Sequence, residues 1–157
     1  MKHQQEIEYK FLVHADRLPE LKDGARMVQG YLGFDPTVRV RIEDGPAGDK
    51  AYLTIKGDGL VGRDEFEYSI PRDHAEALLK LAHASLVSKT RYRIPAEGDL
   101  EWEIDVFEGD NDGLIVAELE VPSEQHEFEK TEWVAKDVTR EPEYKNAALA
   151  RHPFKKW

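Results

Sequence analysis

Hydrophobic and polar residues alternate with a period of two along most of this chain, and glycine, proline, asparagine and aspartate break the alternation at intervals. Successive side chains of a strand point to opposite faces, so the pattern predicts strands rather than helices. The first run covers 4–13, where Glu6, Glu8 and Lys10 share one face and Ile7, Tyr9 and Phe11 the other. At 25–34 Gln29 and Tyr31 oppose Val28, Leu32 and Phe34, and at 37–42 Arg39 and Arg41 oppose Val38, Val40 and Ile42. At 50–57 Tyr52, Thr54 and Lys56 oppose Ala51, Leu53 and Ile55, and at 64–70 Glu65 and Glu67 oppose Phe66, Tyr68 and Ile70. The run at 86–95 carries Lys89, Arg91 and Arg93 on one parity. At 101–107 Glu101, Glu103 and Asp105 oppose Trp102, Ile104 and Val106, and at 114–121 Glu118 and Glu120 oppose Ala117, Leu119 and Val121. The GDNDG between these last two reads as a hairpin turn. Helices are expected at 16–22, at 73–84 with Asp73 as N-cap and apolar residues at 75, 78, 79 and 82, and at 143–151 after Pro142.

Eight successive strands with turn signals predict an all-β dominated (α+β) fold, an eight-stranded antiparallel closed barrel or tunnel with a few outer helices. With 157 residues and no repeat or linker, the chain is expected to form one domain over 1–157. The polar parity is sorted by sign. Arg39, Arg41, Lys56, Lys89, Arg91 and Arg93 fall on some strands, and Glu6, Glu8, Glu67, Glu103, Asp105, Glu118 and Glu120 on others. Facing inward, this parity would make a polar tunnel, with the apolar parity outside beneath the helices at 16–22, 73–84 and 143–151. A sandwich with its charges in water fits the same periodicity, which reports that two faces differ and not which is inside.

Composition then removes whole classes of function. Thirty-two Asp and Glu against 22 Lys and Arg give a net charge of −10, which disfavours bulk attraction to nucleic acid or an anionic membrane. The absence of cysteine excludes disulfides and thiolate metal sites. The sequence shows no signal-peptide pattern and no apolar run long enough for a membrane span, so a cytoplasmic location is expected. His74, His83, His126 and His152 lack paired ligand spacing, Trp102, Trp133 and Trp157 read as packing residues, and GDGLVG lacks the Lys-Ser/Thr of a phosphate-binding P-loop.

The candidate chemistry depends on convergence. Cations confined together repel by about 4 kcal/mol per pair at 4 Å and an effective dielectric near 20, so they imply an anionic ligand. Arginine forks match phosphate oxygens, making Arg39, Arg41 and Arg91 with Lys10, Lys56 and Lys89 a cradle for a chain of phosphates. Clustered carboxylates suit hard cations, chiefly Mg²⁺ or Mn²⁺. Lys89 shares its parity with Arg91 and Arg93, opposite Tyr92 and Ile94, so its head is not expected to support the core.

EIEYK resembles the ExExK signature of the CYTH domain, or triphosphate tunnel metalloenzyme, family. The likeness continues through QGYL, VRVRI, AYLTIKG, EFEYSIP, KTRYRI, WEIDVFEG, AELEV and DVTREPEYKNAALA, nearly the whole chain. The resemblance implies an eight-stranded tunnel acting on triphosphate compounds with a divalent metal, and so turns the charged parity inward. It implies Glu6, Glu8, Asp105, Glu118 and Glu120 as metal ligands and Lys10, Arg39, Arg41, Lys56, Lys89 and Arg91 as phosphate binders. Glu67 matches an acidic tunnel position, and Tyr31 and Lys89 match residues that position or activate water. Two departures, Tyr9 inside ExExK and Ala135 in the tail, lie off the expected lumen. The short chain most resembles the bacterial tripolyphosphatases, which implies hydrolysis of inorganic tripolyphosphate to pyrophosphate and phosphate. Class IV adenylyl cyclase, thiamine or nucleoside triphosphatase and a non-catalytic polyphosphate binder stand as rivals. The partner expected is a small triphosphate, with a second copy of the chain as a further candidate and neither nucleic acid nor membrane.

Overall fold

The structure, a computed structural model, describes residues 2–157. Its strands are β1 (Lys2–Val13), β2 (Ala25–Phe34), β3 (Thr37–Gly45), β4 (Gly48–Lys56), β5 (Gly62–Ser69), β6 (His83–Pro95), β7 (Glu101–Phe107), β8 (Ile115–Glu120) and β9 (Val134–Asp137). They hydrogen bond in the order β5-β4-β3-β2-β6-β7-β8-β1-β9, and an added β5–β1 pairing closes the first eight into an antiparallel barrel. The expected closed barrel is therefore present, with one strand more than the alternation predicts. One edge of β1 follows β8 from Glu8 to Leu12, while its other edge runs along β5 as far as Ile7 and meets β9 from Phe11.

Burial settles the inside-outside question. Glu6, Lys10, Gln29, Arg39, Arg41, Thr54, Glu65, Lys89, Arg91, Asp105 and Glu118 are all buried, on the parity that the alternation makes polar. Much of the apolar parity packs outside the barrel wall. Phe11, Trp102, Ile104, Ala117 and Leu119 lie with Val121 and Trp133 from the segment that returns to form β9. Val40, Ile42 and Ala51 lie with Ala75 of α1 (Arg72–Leu79).

The tail helix departs from the expected outer layer. Leu149 and Ala150 of α2 (Asn146–Arg151) pack on Tyr31, Val87, Phe107 and Val116. Val87, Phe107 and Val116 share the parity of Lys89, Asp105 and Glu118, so α2 covers an apolar end of the lumen and closes it. Three further expectations shift. Instead of a helix at 16–22 there is a 3₁₀ turn at Ala15–Arg17, since Leu18 precedes Pro19 and takes the extended conformation that proline imposes on its predecessor. The helix expected at 73–84 is Arg72–Leu79, begins after Pro71 with no side-chain cap from Asp73, and gives way to β6 at His83. The hairpin turn expected at 109–113 contains a 3₁₀ turn at Gly109–Asn111, whose buried Asn111 accepts a 2.8 Å hydrogen bond from the Phe154 amide and ties the tail to the barrel.

Candidate active site

Strand register brings unlike charges face to face along the lumen. Glu6 stands opposite Arg63, Lys10 opposite Glu118, Arg91 opposite Asp105 and Thr54 between Arg39 and Glu67. These walls enclose a cavity of about 290 Å³. Its lining includes Glu6, Glu8, Lys10, Tyr31, Arg39, Arg41, Lys56, Glu67, Arg91, Glu118 and Glu120, each singled out from the sequence. Glu43, Lys50, Tyr52, Arg63, Glu65, Arg93, Glu103, Lys145 and Asn146 also line it.

One side of the cavity is cationic. Arg39 donates through Nη2 to Thr54 Oγ1 at 3.3 Å, while its buried Nε has no partner among the described residues. Arg41 donates from Nε to Gln29 Oε1 at 2.8 Å, and burial, with Arg39 and Arg91 nearby, brings its guanidinium down to about 10. Lys56 bridges Glu6 at 3.0 Å and Glu65 at 3.3 Å. Burial works against the Glu6 charge, but Lys56 and then Arg63 hold that carboxyl well below the usual range. Burial and a hydrogen bond with Glu6 push Glu65 up.

The opposing acids come from three adjacent strands. One carboxylate oxygen each from Glu8, Glu103 and Glu118 lies within 4.8 Å of the others. Burial, then the charges of Glu118 and Glu6, push Glu8 well above the ordinary carboxylate range. Burial opposes ionisation of Glu118 too, yet Lys10 at 3.9 Å, helped by Arg91, brings it down to about 2. Glu120 is exposed at the rim of the cavity.

Lys89 and Asp105 lie behind the lining, both fully buried. Lys89 Nζ donates to Asp105 Oδ2 at 2.7 Å and to Asn146 Oδ1 at 3.0 Å. Arg91 grips both Asp105 oxygens, Nε to Oδ1 at 2.7 Å and Nη2 to Oδ2 at 2.9 Å. Burial lowers Lys89 to about 7 despite the Asp105 charge, while Arg91 and Lys89 hold Asp105 far below its usual range against burial. The expectation that the Lys89 head plays no part in the core is thus corrected: it is a fully buried, bonded core group.

Three kinds of lining residue escaped the sequence reading. Glu65 and Glu103 carry the right parity and lie within the EFEYSIP and WEIDVFEG stretches, but neither is implied there as a site residue. Arg63 falls between the GDGLVG stretch and the strand expected from Asp64, although β5 already begins at Gly62. Lys145 and Asn146 come from the tail, where no alternation points to a lumen; Lys145 Nζ is anchored on the Gly59 carbonyl at 2.8 Å.

Residues 4–153 match the CYTH domain family. The chain is 41% identical over 154 residues to an inorganic triphosphatase of Acetivibrio thermocellus, covering 96% of each chain. It is 36% identical over 149 residues to an inorganic triphosphatase of Nitrosomonas europaea, covering 92% of this chain and 96% of the relative. A crystal structure of an inorganic triphosphatase superposes with a TM-score of 0.65 at 33% identity, covering 92% of this chain and 93% of the other. A Pyrococcus horikoshii protein of 22% identity, covering 76% of this chain and 80% of its own, superposes with a TM-score of 0.58 and shares the fold.

Proposed function

Because the chain belongs to the CYTH domain family, we propose that it is a metal-dependent inorganic triphosphatase, which hydrolyses tripolyphosphate to pyrophosphate and phosphate. The observation that carries this reading is the division of one small cavity into a cationic wall and a three-carboxylate cluster. A cavity of about 290 Å³ lies at the small end for ligand sites, and charged groups dominate its lining where a nucleoside would call for a flat apolar slot.

Glu8, Glu103 and Glu118 fit a divalent cation, since their oxygens already converge and hard oxygen donors suit Mg²⁺ or Mn²⁺. A cation held there would neutralise and polarise phosphate oxygens. Glu6 and Glu120, adjoining this cluster, are the further ligand candidates. We assign Asp105 to holding Lys89 and Arg91 in place, since both its oxygens are occupied by them.

The phosphate chain would lie along Arg39, Arg41, Lys56, Lys10 and Arg91. The partnerless Arg39 Nε supplies a donor with no competing protein acceptor among the described residues. Water attacks the terminal phosphorus as its bond to the bridging oxygen breaks, and the arginines and lysines stabilise the charge that collects on the pyrophosphate leaving group. Tyr31, on the lining, would orient the water. Lys89 lies behind the lining and would act through Asn146, which it bonds and which lines the cavity. Glu67 shares the lining near Thr54 and limits how far the phosphate chain extends along that wall.

The test is incubation with tripolyphosphate, ATP or thiamine triphosphate plus Mg²⁺ or Mn²⁺, with phosphate, pyrophosphate and cyclic AMP measured. Tripolyphosphate is expected to turn over fastest, yield equal phosphate and pyrophosphate, and stop on chelation of the metal. Cyclic AMP as the main product from ATP, or faster turnover of either organic triphosphate, would overturn the reading.

A further inference from the structure

Gln29 is fully buried on the lumen side of β2, a position where an uncharged amide among so many ions needs a reason. Its hydrogen bonds supply one. Arg41 Nε donates to Gln29 Oε1 at 2.8 Å, and a guanidinium can only donate, so the amide oxygen must face Arg41. The amide nitrogen therefore faces the other way. Its two protons go to the Tyr31 hydroxyl oxygen at 3.1 Å and to Asn146 Oδ1 at 3.2 Å. The Asn146 orientation follows from this, because only its Oδ1 can accept from the Gln29 amide nitrogen, and Lys89 Nζ bonds the same oxygen at 3.0 Å. The Arg41 guanidinium thus settles both amide orientations.

The consequence falls on Tyr31. A phenol has one proton to give, and here its oxygen already receives one from Gln29. The Tyr31 proton has no acceptor on Gln29 and is left for the lumen, which Tyr31 lines. We propose that Gln29 is a positioning residue that fixes Tyr31 as a hydrogen-bond donor into the cavity, toward a phosphate oxygen or the attacking water. The proposal rests on the triphosphatase reading. It explains why a neutral residue occupies this point: a carboxylate at position 29 would accept the Tyr31 proton and turn it away from the substrate.

A double-mutant cycle on tripolyphosphate hydrolysis tests it, using Gln29→Met, Gln29→Glu and Tyr31→Phe singly and in combination, with thermal melts to establish folding. Gln29→Met and Tyr31→Phe should each lower kcat about tenfold, as expected for one well-placed hydrogen bond, with smaller changes in KM. Gln29→Glu, which keeps the Arg41 contact and the shape, should cost at least as much. Once Tyr31 is Phe, either change at 29 should cost less than twofold further. If Gln29→Met or Gln29→Glu lowers kcat by the same factor with Phe at 31 as with Tyr, the inference fails while the triphosphatase reading stands. If the wild-type protein does not hydrolyse tripolyphosphate, the reading itself fails first.

Discussion

The Lys89 side chain is fully buried against Asp105, Asn146 and, 5.5 Å away, the face of Phe107. Burial takes this group from 10.5 to about 7, so between those values the unfolded chain holds a proton that the folded chain has released. Stability rises with pH wherever the unfolded state binds more protons, so Lys89 makes the fold more stable as pH climbs from about 7 toward 10.5. Below about 7 the cost of burying its charge is borne in full. Lys89→Met keeps the volume and removes the proton. The stability of wild type relative to this variant should therefore increase steadily between pH 7 and 10 in urea unfolding. Parallel pH curves for the two proteins would show that Lys89 does not titrate in this window. The parity of Lys89 could be read from the sequence. Its depth could not, because period two puts Lys89 and Arg93 on one face while only the closed end of the barrel decides that the first is fully buried and the second exposed.

Whole elements were legible where alternation was long. All eight barrel strands fall within a few residues of their expected limits, because the lumen selects charge and the wall selects apolar side chains at every second position. β9 has no signature in the sequence: VAKD is short, shows no alternation and forms by pairing with β1, a long-range contact that local pattern does not report. The helical pattern runs on through KLAHA past the end of α1, whereas the chain must turn there to enter β6. Gly30 lies under that turn, where a Cβ would come within 2.8 Å of Ala82 and Leu86. α2 packs on a different surface from the expected outer layer, since an amphipathic pattern reveals a buried face and not what it packs against. Its anchor is Leu149, fully buried against the apolar end of the lumen. Leu149→Ala should cost about 2–5 kcal/mol, read as a lower urea midpoint with an unchanged slope. A loss under about 1 kcal/mol would mean that the helix end does not seal the barrel.

At the scale of the whole molecule, the cationic wall of the site and the protein around it carry opposite signs. The protein has a net charge of −10, and Asp99, Glu101, Glu103 and Glu120 line a groove adjoining the cavity, yet the proposed substrate is itself a polyanion that binds among cations inside. A distant tripolyphosphate is repelled by the whole, and only near the cavity is it drawn by Arg39, Arg41 and Lys56. Salt separates the two effects by range. The screening length falls from about 30 Å at 0.01 M to about 10 Å at 0.1 M, which removes most of the long-range repulsion but screens buried contacts far less. At fixed free metal and subsaturating tripolyphosphate, kcat/KM should therefore rise as KCl is raised from about 10 to about 100 mM, contrary to the fall expected of a substrate steered in by net attraction. Removing one charge of the groove with Glu101→Gln, at an exposed position outside the cavity lining, should raise kcat/KM slightly at low salt and leave it nearly unchanged at 100 mM. A kcat/KM that falls monotonically over this range in both proteins would mean that the field of the inner cations already dominates outside the cavity, so that the acidic exterior does not govern entry.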